Sequence, residues 1–100
     1  MNHTIKVSGK SVTAILTGKI YSQDAAVVRD ELLEEVERGA TEVSIDLSEL
    51  TYIDSTGLGV LVTLHKRTKE KNGKLTLTGA QGMVAELLKR TRLDKIFLVL

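Results

Sequence analysis

The sequence predicts an α/β domain built on a mixed β-sheet that contains parallel strand pairs. Its 100 residues are enough for one hydrophobic core and too few for two. Two adjoining β-patterns at the start read as a hairpin, and helical and strand patterns then alternate to the last residues. A hairpin followed by alternating helix and strand is typical of α/β folds, in which crossover connections make neighbouring strands parallel.

The predicted hairpin comes first. Residues 4–7 alternate between apolar and polar side chains, residues 8–10 favour a tight turn, and residues 12–17 form a richer strand pattern. Gly18 is expected to end this second strand. The first two elements are therefore predicted to be antiparallel neighbours.

The first helix is predicted over residues 24–38, where apolar side chains recur at helical spacing. Ser22 is the expected N-cap, Asp24 suits the positive end of the helix dipole, and Gly39 follows the last turn as a stop. The acidic side chains on the opposite face indicate a solvated surface.

The remaining elements continue the alternation. The patterns predict a strand at 42–47, a helix at 57–70, a strand at 74–78, a helix at 84–91 and a last short strand at 96–100. Lysine and arginine side chains near the end of the second helix suit the negative end of its dipole.

The start of the second helix is unusual because residues 58–64 are apolar almost all the way round. A surface helix normally carries an apolar stripe on one side only. Two interpretations stay open from the sequence. One face of this turn is exposed as a partner site, or the turn is fully buried between two layers.

Composition excludes several classes of function. Fourteen Lys and Arg against thirteen Asp and Glu give a net charge of +1, so the whole chain has no strong attraction to nucleic acid or anionic membranes. Cysteine is absent and only two histidines occur, which excludes thiolate and multi-histidine metal sites. We therefore predict no catalytic residue, no metal site and no cofactor, and we do not expect an enzyme.

The chain is expected to be a single cytoplasmic domain over residues 1–100. It contains no proline, no flexible linker and no internal repeat. Its first residues lack the basic start and apolar stretch of a signal peptide, and no run approaches the roughly 18 apolar residues of a membrane span.

Three short catalytic or phosphate-binding motifs fail on inspection. Residues 9–11 resemble the end of a phosphate-binding loop but lack its earlier glycine and its strand–loop–helix context. Residues 54–57 resemble an aspartic protease motif with one residue too many. His65 would lie about 15 Å along the helix from Ser55, beyond hydrogen-bond reach, so we expect it to be a core or border histidine whose hydrogen bonds are satisfied.

The most informative segment is residues 45–59, in which a strand runs into a short loop and the loop ends at the second helix. Asp54, Ser55 or Thr56 could cap that helix, and a capped helix is the plainest interpretation. A serine here would also lie among free backbone N–H groups at the positive end of the helix dipole. Such groups suit a phosphate.

Two stretches of this segment, Ile45-Asp46-Leu47-Ser48 and Tyr52-Ile53-Asp54-Ser55-Thr56-Gly57-Leu58-Gly59, resemble the anti-sigma factor antagonists, which are single STAS domains. Weaker similarity occurs at residues 16–18, 72–75 and 93–97. The resemblance implies a STAS-type mixed sheet of four to five strands packed against three to four helices.

The resemblance also implies a mechanism called partner switching. The unphosphorylated protein binds an anti-sigma factor that is a serine kinase and so frees a sigma factor. The kinase uses ATP and Mg²⁺ to phosphorylate the serine matched by Ser55, and a metal-dependent serine phosphatase restores the free form. A monomer or weak dimer is expected. The implied partner-binding residues are Asp54, Ser55, Thr56, Gly57, Leu58, Gly59 and Val60.

The resemblance assigns roles to these residues. Asp54 would shape the loop, Gly57 and Gly59 would let a partner approach closely, and Leu58 and Val60 would make apolar contacts. Where family members often carry aspartate near the serine loop, this sequence has Tyr21, which alters the polar surroundings expected for Ser55.

Two other functions remain open. The chain could be a STAS adaptor subunit of a transporter or signalling scaffold, in which Ser55 is only a helix cap. It could also be a small hydrolase, although the sequence offers no base beside Ser55.

Overall fold

The computed structural model describes residues 2–100. The elements in chain order are β1 (Asn2–Ser8), β2 (Ser11–Ile20), α1 (Ser22–Glu37), β3 (Glu42–Ile53), α2 (Ser55–Glu70), β4 (Lys74–Thr78), α3 (Gly82–Arg90), a 3₁₀ turn (Leu93–Lys95) and β5 (Leu98–Val99). Among the described helices, none is both long and apolar enough to cross a membrane.

The five strands form one sheet in the order β1-β2-β3-β4-β5. The β1–β2 pair is antiparallel, and the other three pairs are parallel. A mixed sheet of five strands with three helices confirms the predicted fold class. At the end of the central pair, Ile20 of β2 lies opposite Ile53 of β3, so both strands finish at the same edge of the sheet.

The core forms between the sheet and the helices. Strand side chains alternate between buried and partly exposed positions, as the pleat requires. Helices α1 and α2 pack against each other and against the central strands, while α3 contacts β3. One hydrophobic cluster joins buried residues of the strands and helices, among them Leu16, Ile45, Leu32, Leu64 and Leu88.

Two strands are longer than the sequence pattern predicts. Strand β2 continues past Gly18 to Ile20, and β3 continues past residue 47 to Ile53. The two extensions pair with each other, with irregular register between Ile15 and Lys19. The stop in β2 was predicted from Gly18, which instead lies within the strand, and the irregular register breaks the side-chain alternation of β3, where a loop was predicted.

Smaller corrections concern the ends of elements. Ser22 is the first residue of α1, and Tyr21 occupies the N-cap position predicted for Ser22. The last strand contains only Leu98 and Val99 because residues 93–95 form a 3₁₀ turn, which follows Arg92 in a left-handed conformation (φ 61°).

Candidate functional site: the start of helix α2

Residues 54–60, here called the α2 start, lie at the carboxyl edge of the sheet. Strand β3 ends at Ile53, Asp54 is extended, and Ser55 is the first helical residue. Because Ile20 is opposite Ile53, α1 begins at the same edge. The site therefore lies where the neighbouring parallel strands β2 and β3 end and helices α1 and α2 begin.

Asp54 is the N-cap of α2. Its side-chain carboxylate accepts a hydrogen bond from the Gly57 N–H at 3.0 Å, and its carbonyl accepts one from the Leu58 N–H at 3.0 Å. The first N–H groups of a helix have no partner within the helix. The N–H groups of Ser55 and Thr56 therefore remain for a phosphate, which the helix dipole also favours.

The residues of the α2 start differ in exposure. Ser55, Thr56 and Gly59 are exposed, and Asp54 is half-buried. The Ser55 hydroxyl is thus within reach of a modifying enzyme. Thr56 is equally exposed, so accessibility does not distinguish these two hydroxyls.

The two glycines have different surroundings. A Cβ added at Gly57 would lie 2.5 Å from Cγ1 of Ile53 and 3.4 Å from Cγ2 of Ile20. The missing side chain of Gly57 therefore lets α2 pack onto the ends of β2 and β3, and Gly57 is buried. A Cβ at Gly59 would meet nothing within 4 Å. Of the two, only Gly59 leaves open space for a partner.

Leu58 and Val60 are part of the core, with 8% and 6% of their surface exposed. They join the same hydrophobic cluster as Leu61 and Leu64. The larger apolar side chains of residues 58–64 are therefore mostly buried, while Gly59 and Thr63 leave one face of the turn exposed. Little of the surface of Leu58 and Val60 is therefore available for the partner contacts expected from them, and those contacts stay a prediction.

An aromatic pair lies at the same edge of the sheet. The rings of Tyr21 and Tyr52 contact each other with centroids 5.6 Å apart and an angle of 41°. Tyr21 is half exposed. The position where the resemblance expects an aspartate thus carries an aromatic surface. The pair was missed in the sequence because both tyrosines fall outside the predicted strands.

A family model for the STAS domain matches residues 4–100. The chain belongs to the STAS domain family. It is 32% identical over 96 residues to the anti-sigma-B factor antagonist of Bacillus subtilis, a match that covers 96% of this STAS domain and 87% of the relative. The corresponding protein of Listeria monocytogenes is also 32% identical, with the same coverage of both chains. These matches confirm the resemblance seen in the motif.

Solved structures confirm the fold of this STAS domain. A crystal structure from Thermotoga maritima superposes with a TM-score of 0.89 at 23% identity, covering 97% of this chain and 84% of that one. The phosphorylated form of the Bacillus cell fate determinant SpoIIAA gives a TM-score of 0.82 at 16% identity, covering 99% and 91% of the two chains.

Other polar groups of the STAS domain do not join the α2 start. Within residues 2–100, no three side chains of metal-ligating type cluster together. His65 lies ten residues after Ser55 on the same helix, so it cannot act as a base there. It is a border histidine as expected, but its buried Nδ1 atom has no partner within residues 2–100, so it is not the satisfied group that we expected. Burial, reinforced by the charge of Lys69, lowers its pKa, and its ring contacts Phe97 edge-on.

Proposed function

We propose that this STAS domain is an anti-sigma factor antagonist that switches partners by phosphorylation of Ser55. In the unphosphorylated state it binds a cognate anti-sigma factor that is a serine kinase, and a sigma factor is released. The kinase phosphorylates Ser55 with ATP and Mg²⁺, and a serine phosphatase resets it. The chain acts as a cytoplasmic regulatory protein. The observation that carries the proposal is the exposed Ser55 as first residue of a helix whose neighbouring N–H groups are free.

The comparisons support this proposal at the level of the family. Relatives that align with nearly the whole chain are anti-sigma-B factor antagonists, and SpoIIAA, which has a similar fold, was solved in phosphorylated and unphosphorylated forms. Ser55 occupies the position of the phosphorylated serine in the motif that this sequence resembles.

We place the partner contact on the exposed part of the α2 start, which consists of Ser55, Thr56 and Gly59 with Asp54 at its margin. The contribution of the buried residues is indirect. Packing against the core by Gly57, Leu58 and Val60 holds the first turn of α2 in place. The partner therefore meets a small polar surface on a firmly packed helix.

The switch is a local electrostatic effect at this surface. Phosphorylation adds a charge of about −1.5 to −2 at neutral pH. The free N–H groups and the dipole of α2 accommodate that charge within the monomer, so the fold need not change. A partner packed on Ser55 must instead desolvate a dianion beside the Asp54 carboxylate, at a cost of several kcal/mol. A cost of about 4 kcal/mol already weakens binding roughly a thousandfold.

The first test is recovery of partners from a native lysate with tagged wild-type protein, Ser55→Ala and Ser55→Asp, followed by mass spectrometry. We expect wild type and Ser55→Ala to recover an ATP-binding kinase and Ser55→Asp to lose it. Equal recovery of a transporter or scaffold subunit by all three proteins would contradict the switch and favour the fixed adaptor.

The second test identifies the phosphorylated hydroxyl. After incubation with the recovered kinase and ATP–Mg²⁺, the Ser55→Ala variant should remain unphosphorylated. The adjacent control Thr56→Ala should gain one phosphate, as measured by intact-mass spectrometry. The opposite result would move the site to Thr56 and overturn the assignment of Ser55.

A further inference from the structure

A cavity of about 370 Å³ lies at the far end of α2 from Ser55. It is open to solvent on one side and is bounded by the last turns of α2, the start of β4 and the segment that leads into β5. Its volume is within the range of small-molecule sites, about 300–1,000 Å³. The α2 start contributes none of its lining residues.

One side of the cavity is apolar. Leu75 is buried beneath it, while Ile96 and Leu98 line it with 52% and 41% of their surface exposed. Large apolar side chains gain free energy when they are covered, so this wall favours a ligand with a hydrocarbon part.

The other side is basic. Lys69 and Lys74 line the cavity, no acidic residue does, and neither lysine forms an ion pair within residues 2–100. Two other basic residues at the end of α2, Arg67 and Lys71, do form ion pairs, both with Glu37. Glu42 lies opposite Lys74 on β3, but it forms no ion pair with Lys74 and does not line the cavity, so the cavity lining itself is positive, which favours an anion.

His65 also lines the cavity. Its Nδ1 atom is buried, so it is not itself offered to a ligand, and it has no hydrogen-bond partner within the described chain. A buried polar atom without a partner is uncommon in folded proteins because it loses its hydration without compensation. Burial also lowers the pKa of His65, which keeps the imidazole neutral and able to donate or accept according to its tautomer.

We propose that this cavity is a binding site for a small amphipathic anion. The anionic group, a carboxylate or sulfonate, lies between Lys69 and Lys74, and the hydrocarbon part packs on Leu75, Ile96 and Leu98. The site does not depend on the phosphorylation of Ser55.

The test is a titration of the full ¹⁵N-labelled chain with octanoate, followed by NMR, with octanol and octylammonium as matched neutral and cationic probes. We expect saturable shift changes at Gly73, Leu75 and Phe97, and binding at least about tenfold weaker for the two control probes. Equal affinity for octanol, changes that do not saturate, or changes located elsewhere would overturn the proposal.

Two double variants test whether the lysines of the cavity lining, rather than the net charge of the chain, are responsible for octanoate binding. The double variant Lys69→Ala with Lys74→Ala should weaken octanoate binding by about tenfold. The matched control Lys66→Ala with Lys89→Ala, which removes the same charge outside this cavity, should change it by less than about twofold. Equal loss in both double variants would show only a general effect of net charge. Unchanged dispersion of the NMR spectrum verifies that each variant is folded.

Discussion

The starts of α1 and α2 resemble each other in position and first residue, but their carboxylates are placed differently. Both helices have 16 residues, both begin at the same edge of the sheet, and both have a serine as first residue, Ser22 and Ser55. In α1 the carboxylate is inside the helix, where Asp24 accepts a hydrogen bond from the N–H of Tyr21 at 3.4 Å.

In α2 the corresponding carboxylate belongs to the residue before the helix, Asp54. Asp54 precedes the first turn and accepts from the N–H of Gly57, the residue that corresponds to Asp24. The first turn of α2 therefore contains no acidic side chain and no Cβ at its third residue. The difference teaches that a carboxylate can lie at the positive end of a helix dipole in two ways: Asp24 bonds back to the N–H of the residue before α1, whereas Asp54 takes the third N–H of α2 and leaves those of Ser55 and Thr56.

The largest expected effect uses the two serines as a matched pair. Ser55→Asp should weaken partner binding about a hundredfold, because it places one negative charge, less than that of a phosphate, in the proposed contact surface. Ser22→Asp makes the same change at the other helix and should alter binding by less than about twofold. Isothermal titration with the recovered kinase measures both. Similar losses would mean that the two starts are not functionally different.

The two glycines of α2 give the next largest effect. Gly57→Ala should lower the free energy of unfolding by about 1–3 kcal/mol, because the new methyl group overlaps Ile53 in the core. Gly59→Ala should raise it by about 0.5–1 kcal/mol, since alanine favours a helix and meets open space. Urea unfolding measures both changes. A stable Gly57→Ala variant would contradict the close packing of α2 on the sheet.

The smallest effect compares the two carboxylates. Asp54→Ala removes a cap and should destabilise the protein by about 1 kcal/mol, whereas Asp54→Asn should retain most of the stability. Asp24→Ala loses a longer hydrogen bond and a dipole contact, which together are worth less, about 0.3–1 kcal/mol. Thermal unfolding distinguishes them. A larger loss at Asp24 would reverse the proposed roles of the two carboxylates.

Local patterns predicted the order of elements well. Strand β4 has the predicted bounds, and α2 begins two residues before its expected start. The extensions of β2 and β3 could not be predicted, because their irregular register is fixed by pairing between distant segments. Side-chain alternation within one strand carries no information on such pairing.

The candidate site was predictable where its residues are adjacent in sequence. Asp54 as cap and Ser55 as first helical residue follow from motif and capping chemistry. The burial of Leu58 and Val60 did not follow, because it depends on how α1 and the sheet pack around α2. The basic cavity could not be predicted from the sequence either, because its lining residues, from His65 to Leu98, come together only in the folded chain.

The length of β3 has a consequence for the kinetics of recognition. Its last residue, Ile53, is 1% exposed, and α2 begins two residues later with its first turn packed on that side chain. The contact surface is thus preorganised, so association need not include the entropy of ordering a loop. For the proposed complex we therefore expect rigid-body docking, with phosphorylation of Ser55 acting mainly on the dissociation rate.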